Sequence, residues 1–136
     1  METAIWNADL ALGIPLFDEA HQAMAEQVEE LLMGPDHVFA VGMARLIAAL
    51  EEDFSLEESL MEAIGYQDIG NHRRQHAGVL GTLHAIAPHD IAAGRRAATL
   101  ILPWFQLHLA TADTALAIAL QKADRPTVLR PRETLR

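Results

Sequence analysis

His72 and His76 stand four residues apart, as do Asp53 and Glu57. On a helix, residues at that spacing share one face, one turn apart. His108 and Asp113 are five residues apart, and His21 lies alone near the front of the chain. There is no cysteine, so disulfides, thiolate catalysis and sulfur-bound metals are excluded, and a metal here would be held by nitrogen and oxygen. Taken singly, each residue has a plainer reading. Two histidines on a helix are a common surface pair, and Glu57 sits in the acidic run EEDFSLEE, which by default is a solvated face. Position argues otherwise. Leu50, Phe54 and Met61 mark an apolar side; Glu57 comes three residues after Phe54 and four before Met61, so it faces inward, and Asp53 shares its face. Glu51, Glu52, Glu58 and Glu62 read as surface or flanking charges, and His37, His84 and His89 as surface residues near loops or helix ends. No Ser-His-Asp arrangement, phosphate-binding glycine loop or H-E-x-x-H motif is present.

The elements that must position these residues are helices. The spacing predicts a first helix over about 18–33 with Asp18 as N-cap, ended by Gly34-Pro35. A second runs over about 38–64 with Gly65 just past its end, a third over about 69–87, and a fourth over about 90–121 with Asp90 as a cap. Short turns between four helices predict an all-α, antiparallel up-down-up-down four-helix bundle, in which each helix contributes one or two nitrogen or oxygen donors to the core. Residues 1–17 read as an extended N-terminal arm pinned by Trp6, Leu10, Leu12 and Ile14. Two features conflict with regular helices. Pro103 removes a hydrogen bond and predicts a kink or local unwinding. His108 and Asp113 would point about 140° apart on a regular helix, so they converge only through a widened turn such as a π-bulge, or with a metal pair between them.

The bulk properties agree. A chain of 136 residues argues for one domain able to bury a core unaided. Its 51% hydrophobic and 5% aromatic content, rich in Ala and Leu, suits helix-on-helix packing better than a sandwich. There is no apolar run of about 18 residues and no basic-then-apolar leader, so the expectation is a soluble, cytoplasmic protein with no membrane contact. A net charge of −9 argues against nucleic acid as a partner. Residues 1–121, the bundle, hold 17 acidic and 5 basic side chains, whereas residues 122–136 hold 2 acidic and 5 basic ones. That tail reads as a basic, flexible, solvated extension, and a protein partner on it has no further support.

Over nearly all of residues 6–120 the chain resembles the hemerythrins, specifically the bacterial single-domain ones. The resemblance rests on W-x3-L-x-L-G-I-x3-D-x2-H (Trp6, Leu10, Leu12, Gly13, Ile14, Asp18, His21) and on F-x2-E-E-x2-M with a following G-Y (Phe54, Glu57, Glu58, Met61, Gly65, Tyr66). H-x3-H (His72, His76) and W-x3-H-x4-D (Trp104, His108, Asp113) complete it, with all four motifs in order. It implies two non-haem iron ions, oxo- or hydroxo- and carboxylate-bridged, reacting with dioxygen or another small diatomic ligand. His72, His76 and His108 would bind one iron, His21 the other, and Glu57 and Asp113 both. Phe105 and Leu109 would flank the oxygen pocket. Trp6, Trp104, Tyr66 and Met61 read as packing residues.

One position departs from the family. Where a second histidine is expected on the second iron, immediately before Phe54, this chain has Asp53. Asp53 either ligates directly, or holds a metal-bound water, or leaves a weak second site. The first two are favoured, because a carboxylate buried in a bundle core is costly unless paired or metal-bound. An anion in place of a neutral imidazole favours ferric iron, which predicts a lower reduction potential and faster autoxidation. The function expected is dioxygen binding for sensing, carriage or storage. The rival is enzyme-like chemistry (ferroxidase, peroxidase or nitric-oxide reactivity), followed by an iron-handling or sensory module. A metal-free interaction bundle ranks last, since so many buried ionisable groups would lack a cation.

Overall fold

The computed structural model describes residues 10–129, with side chains through residue 123. Trp6 and residues 130–136 lie outside the described residues. In chain order come α1 (Pro15–Met33), a 3-10 turn (Asp36–Val38), α2 (Phe39–Ala63), α3 (Ile69–His84) and α4 (Ile91–His108). A five-residue π segment (Leu109–Asp113) then leads without a break into α5 (Thr114–Leu129), so α4, the π segment and α5 together form the fourth helix of an all-α four-helix bundle. No strand occurs, and no helix is long and apolar enough to cross a membrane, among the described residues.

The helix ends follow local chemistry. α1 begins before Asp18 rather than at it, because Pro15 at the first position supplies a pre-set φ and removes one orphan donor. Asp18 serves another purpose. Its carboxylate accepts from the backbone N–H of Leu12 at 2.7 Å and of Gly13 at 3.2 Å, fastening the arm to the first turn of α1. Gly13 permits this with φ of +79°. α2 closes on Gly65 at φ +62°: the Tyr66 N–H donates to Met61 O at 2.9 Å and the Gly65 N–H to Glu62 O at 3.2 Å, the Schellman pattern. Asp90 caps α4 by accepting from the Ala93 N–H at 3.1 Å.

Two later helix ends also differ from the expectations. α3 ends at His84, with Ala85 and Ile86 in a turn ahead of Pro88. The fourth helix runs through residues 122–129, beyond its expected end at 121. α4 also continues through Pro103 without local unwinding. That proline is exposed and forgoes one helical hydrogen bond at its turn. The irregular turn lies at Leu109–Asp113 instead.

α1 packs on α2 and α4, and α3 on α2 and α4, which closes the ring of four. The larger core cluster takes Met24, Val28 and Leu31 from α1, Leu46, Leu50 and Phe54 from α2, Val79 and Leu83 from α3, and Ile101 and Phe105 from α4. Burying a side chain of this kind contributes about 1.5–3 kcal/mol. At the far end of the bundle α4 comes so close to α2 that a Cβ on Gly94 would sit 2.5 Å from the Phe39 ring. Arg95 secures the same end, donating to Gly34 O at 2.8 Å and to Asp36 at 2.6 Å. A smaller cluster of Phe17, Met61 and Leu116 lies apart from the larger one. Between them runs a polar layer: the His21 ring meets Phe17 of the small cluster at 6.1 Å and Phe105 of the large one at 5.9 Å.

Candidate metal centre

Among the described residues, the buried polar or charged side chains are His21, Asp53, Glu57, His72, His76, His108 and Asp113, each 5% exposed or less. The bundle gathers them into one layer. α1 contributes His21, α2 contributes Asp53 and Glu57, α3 contributes His72 and His76, and the fourth helix contributes His108 and Asp113. The last pair depends on the π segment. Its extra residue per turn brings Asp113 back to the face of His108, and Asp113 Oδ1 lies 3.2 Å from His108 Nε2. Thr114 reinforces the wide turn by donating its hydroxyl to Leu109 O at 2.7 Å.

The donor atoms fall into two groups that share their carboxylates. Glu57 Oε1 lies 3.2 Å from both His72 Nε2 and His76 Nε2, and Asp113 Oδ1 lies 3.1 Å from His72 Nε2. One atom each from Glu57, His72, His76, His108 and Asp113 lie within 4.8 Å of one another. The other oxygens of the same carboxylates turn to α1: Glu57 Oε2 is 3.1 Å and Asp113 Oδ2 3.8 Å from His21 Nε2. Asp53 Oδ2 joins this second group, 3.2 Å from His21 Nε2.

Many of these short distances are not hydrogen bonds. His76 Nε2, His108 Nε2, Asp113 Oδ1 and both oxygens of Asp53 are buried with no hydrogen-bond partner. Such atoms cost about 1–3 kcal/mol each when left unsatisfied. They converge on shared space rather than on one another. Two donors bound at right angles to one cation, each about 2.1 Å from it, stand about 3 Å apart. The separations of 3.1–3.2 Å fit that requirement, with Asp113 Oδ2 standing farther from His21 at 3.8 Å, as does the all-nitrogen-and-oxygen donor set. The residues present therefore fit a pair of bound cations.

Without metal, the layer's electrostatics are those of imidazoles and carboxylates forced together. Burial alone would lower the His21 pKa, but Asp53 and Glu57, with Asp113 behind them, outweigh it and raise it to about 10. His72 is likewise raised to about 9, with Asp113 and Glu57 overcoming burial. Burial raises Asp53 to about 6, aided by the negative charge of Glu57 and opposed by His21. Burial would raise Glu57 too, but His21, His72 and His76 together hold it far below the usual carboxylate range.

A second ring of groups braces part of the layer. His76 Nδ1 donates to Glu58 Oε2 at 2.9 Å, and Arg73 pairs with Glu58 at 3.4 Å and with Glu62. His108 Nδ1 donates to Gln75 Oε1 at 2.7 Å. The His76 ring stacks on Phe54 at 3.8 Å between centroids, and His108 on Trp104 at 4.6 Å. Glu58 thus does more than the flanking charge its sequence position suggests, and Gln75 had drawn no notice at all. The available signal was adjacency: each stands one residue from a candidate ligand, and an imidazole that uses Nε2 needs a partner on Nδ1. His37, His84 and His89 are exposed, and His84 bonds the exposed Glu51 at 2.9 Å. Phe105 and Leu109 are buried in the larger core cluster, and Phe105 presents its ring to His21 at a steep angle.

Comparison with known proteins points one way. The chain is 29% identical over 112 residues to a bacteriohemerythrin of Ralstonia nicotianae, covering 79% of this chain and 82% of that protein. It is 26% identical over 126 residues to a bacteriohemerythrin of Stenotrophomonas maltophilia, covering 86% and 81%. With a myohemerythrin of Theromyzon tessulatum it shares 22% identity over 81 residues, covering 60% and 66%. No family model and no solved structure matches it. In its four-helix bundle, its buried layer of four histidines and three carboxylates, and these sequence matches, the chain is similar to the hemerythrins along most of its length.

Proposed function

We propose that this chain holds two non-haem iron ions and binds dioxygen with them, for sensing, carriage or storage. The observation that carries the reading is the division of Glu57 and Asp113, each offering one oxygen to the group around His72 and the other to His21. His72, His76 and His108 would hold one iron, His21 and Asp53 the other, and the two shared carboxylates both. Bound iron would supply the electrons that a reaction with dioxygen requires. The chain supplies the rest. Glu58 and Gln75 hold the protons on His76 Nδ1 and His108 Nδ1, which leaves the Nε2 lone pairs facing the layer. Phe105 and Leu109 would keep the approach to the His21 side apolar. Asp53 would place a negative charge beside the second iron, favour its ferric state and hasten autoxidation.

The same aspartate supports a second reading, in which the centre turns over as a ferroxidase, a peroxidase or a nitric-oxide-reactive enzyme, since a third buried carboxylate makes the donor set richer in oxygen. Iron analysis and optical spectra of anaerobically reduced protein exposed to oxygen test both. We expect close to two irons per chain and prompt, irreversible oxidation that Asp53→His slows. A chain that retains no iron overturns the proposal, a stable and reversible oxygen-bound form overturns the role given to Asp53, and repeated turnover with a reductant favours the enzyme.

A further inference from the structure

The two groups of donors differ in composition. Around His72, three imidazole nitrogens meet one oxygen each from Glu57 and Asp113. Around His21, one imidazole nitrogen meets three carboxylate oxygens, from Asp53, Glu57 and Asp113. Support differs as well. His76 and His108 are anchored through Nδ1 by Glu58 and Gln75, whereas His21 Nδ1 is buried with no partner. An outer partner on a ligating imidazole fixes its orientation and raises its basicity. His21 lacks that help, so its nitrogen is a less committed donor than those of His76 and His108.

Imidazole suits iron and zinc, while carboxylate oxygen suits manganese and other hard cations. On any one donor set Fe(II) binds more tightly than Mn(II), but that advantage narrows as nitrogen gives way to oxygen. Asp53 takes the narrowing furthest on the His21 side, where its buried carboxylate, facing the His21 ring at 3.2 Å, adds charge that attracts divalent cations with little regard to identity.

Resting on the two-metal reading above, we propose that the two positions differ in kind: the His72–His76–His108 position takes iron, and the His21–Asp53 position accepts Mn(II) in competition with Fe(II). The chain then carries iron at both positions when iron alone is supplied, and a share of mixed iron–manganese pairs when both cations are at hand. Asp53 sets this selectivity, and its replacement by histidine restores the preference for iron.

The test loads metal-free protein anaerobically with equal, excess Fe(II) and Mn(II), removes unbound metal, counts both elements, and locates each in crystals by anomalous scattering at the two absorption edges. We expect two metals per chain and a Mn:Fe ratio clearly higher at the His21–Asp53 position than at the three-histidine position. Asp53→His should erase most of that difference. Equal Mn:Fe ratios at the two positions of the native chain overturn this proposal and leave the two-metal reading standing. Protein that takes up neither metal overturns both.

Discussion

On the α3 side of the buried layer, His76 lies flat on Phe54 with its Nδ1 proton held by Glu58, which Arg73 pairs in turn. On the α1 side, His21 meets Phe105 at a steep angle and its Nδ1 has no partner. The two histidines are equally buried and share Glu57, yet one sits in a socket and the other is held chiefly by the carboxylates it faces. Burial alone therefore does not make a rigid ligand. Rigidity comes from the outer shell, and that shell is built on the α3 and α4 side, where Glu58, Gln75 and Trp104 reach the rings.

Glu57→Ala removes the carboxylate that both sides share, so it should affect both alike. We expect metal content to fall from about two to below about half an ion per chain, since ligand loss exceeds the 10–100-fold cost of losing an outer partner; a helical far-ultraviolet spectrum would show that the bundle persists. Glu58→Gln should act on one side only. It should weaken the first metal equivalent in a titration by about 10–100-fold and leave the second within a fewfold. Equal weakening of both would end the distinction between a braced and an unbraced side.

Gly94→Ala probes the far end of the bundle. The new methyl would meet the Phe39 ring, so unfolding free energy should drop by about 1–3 kcal/mol while metal per chain is unchanged. Denaturant melts of the metal-loaded variant with parallel metal analysis check that separation.

The last contrast concerns pH dependence. In the metal-free protein His21 and His72 are raised to about 10 and about 9, above the ordinary 6.5, so the folded state holds their protons more tightly than the unfolded chain. Their contribution is complete below pH 6.5 and is lost as pH climbs through about 9 and then about 10. Metal-loaded protein should respond in the opposite direction, releasing metal in acid, because imidazole ligates as the free base. Melting temperatures across this range, with and without chelator, should diverge; a flat metal-free profile would show that the layer does not store protons.

Much of the bundle was legible because helix ends are decided by neighbours in sequence. Asp90 and Gly65 cap their helices as their residue types suggest, and Asp90 does so with a bond only three residues long. Asp18 misled for an equally local reason, since Pro15 offered an earlier start and freed the carboxylate to hold Leu12 and Gly13. At Pro103 the helix is not unwound, while the five-residue interval from His108 to Asp113 marks a real irregularity: two inward groups at that spacing require a wider turn.

The sequence by itself determined four amphipathic helices and which face of each is inward, because a period of 3.6 residues turns spacing into direction. It also determined that the inward groups are nitrogen and oxygen donors without sulfur. Only the tertiary structure decided how those donors divide: that Glu57 and Asp113 each face two ways, that Asp53 joins His21, and that Glu58 and Gln75 hold the rings of His76 and His108. Those relations join residues on different helices, and their distances depend on the axial shift and rotation of one packed helix against another, which no pattern within a single helix contains.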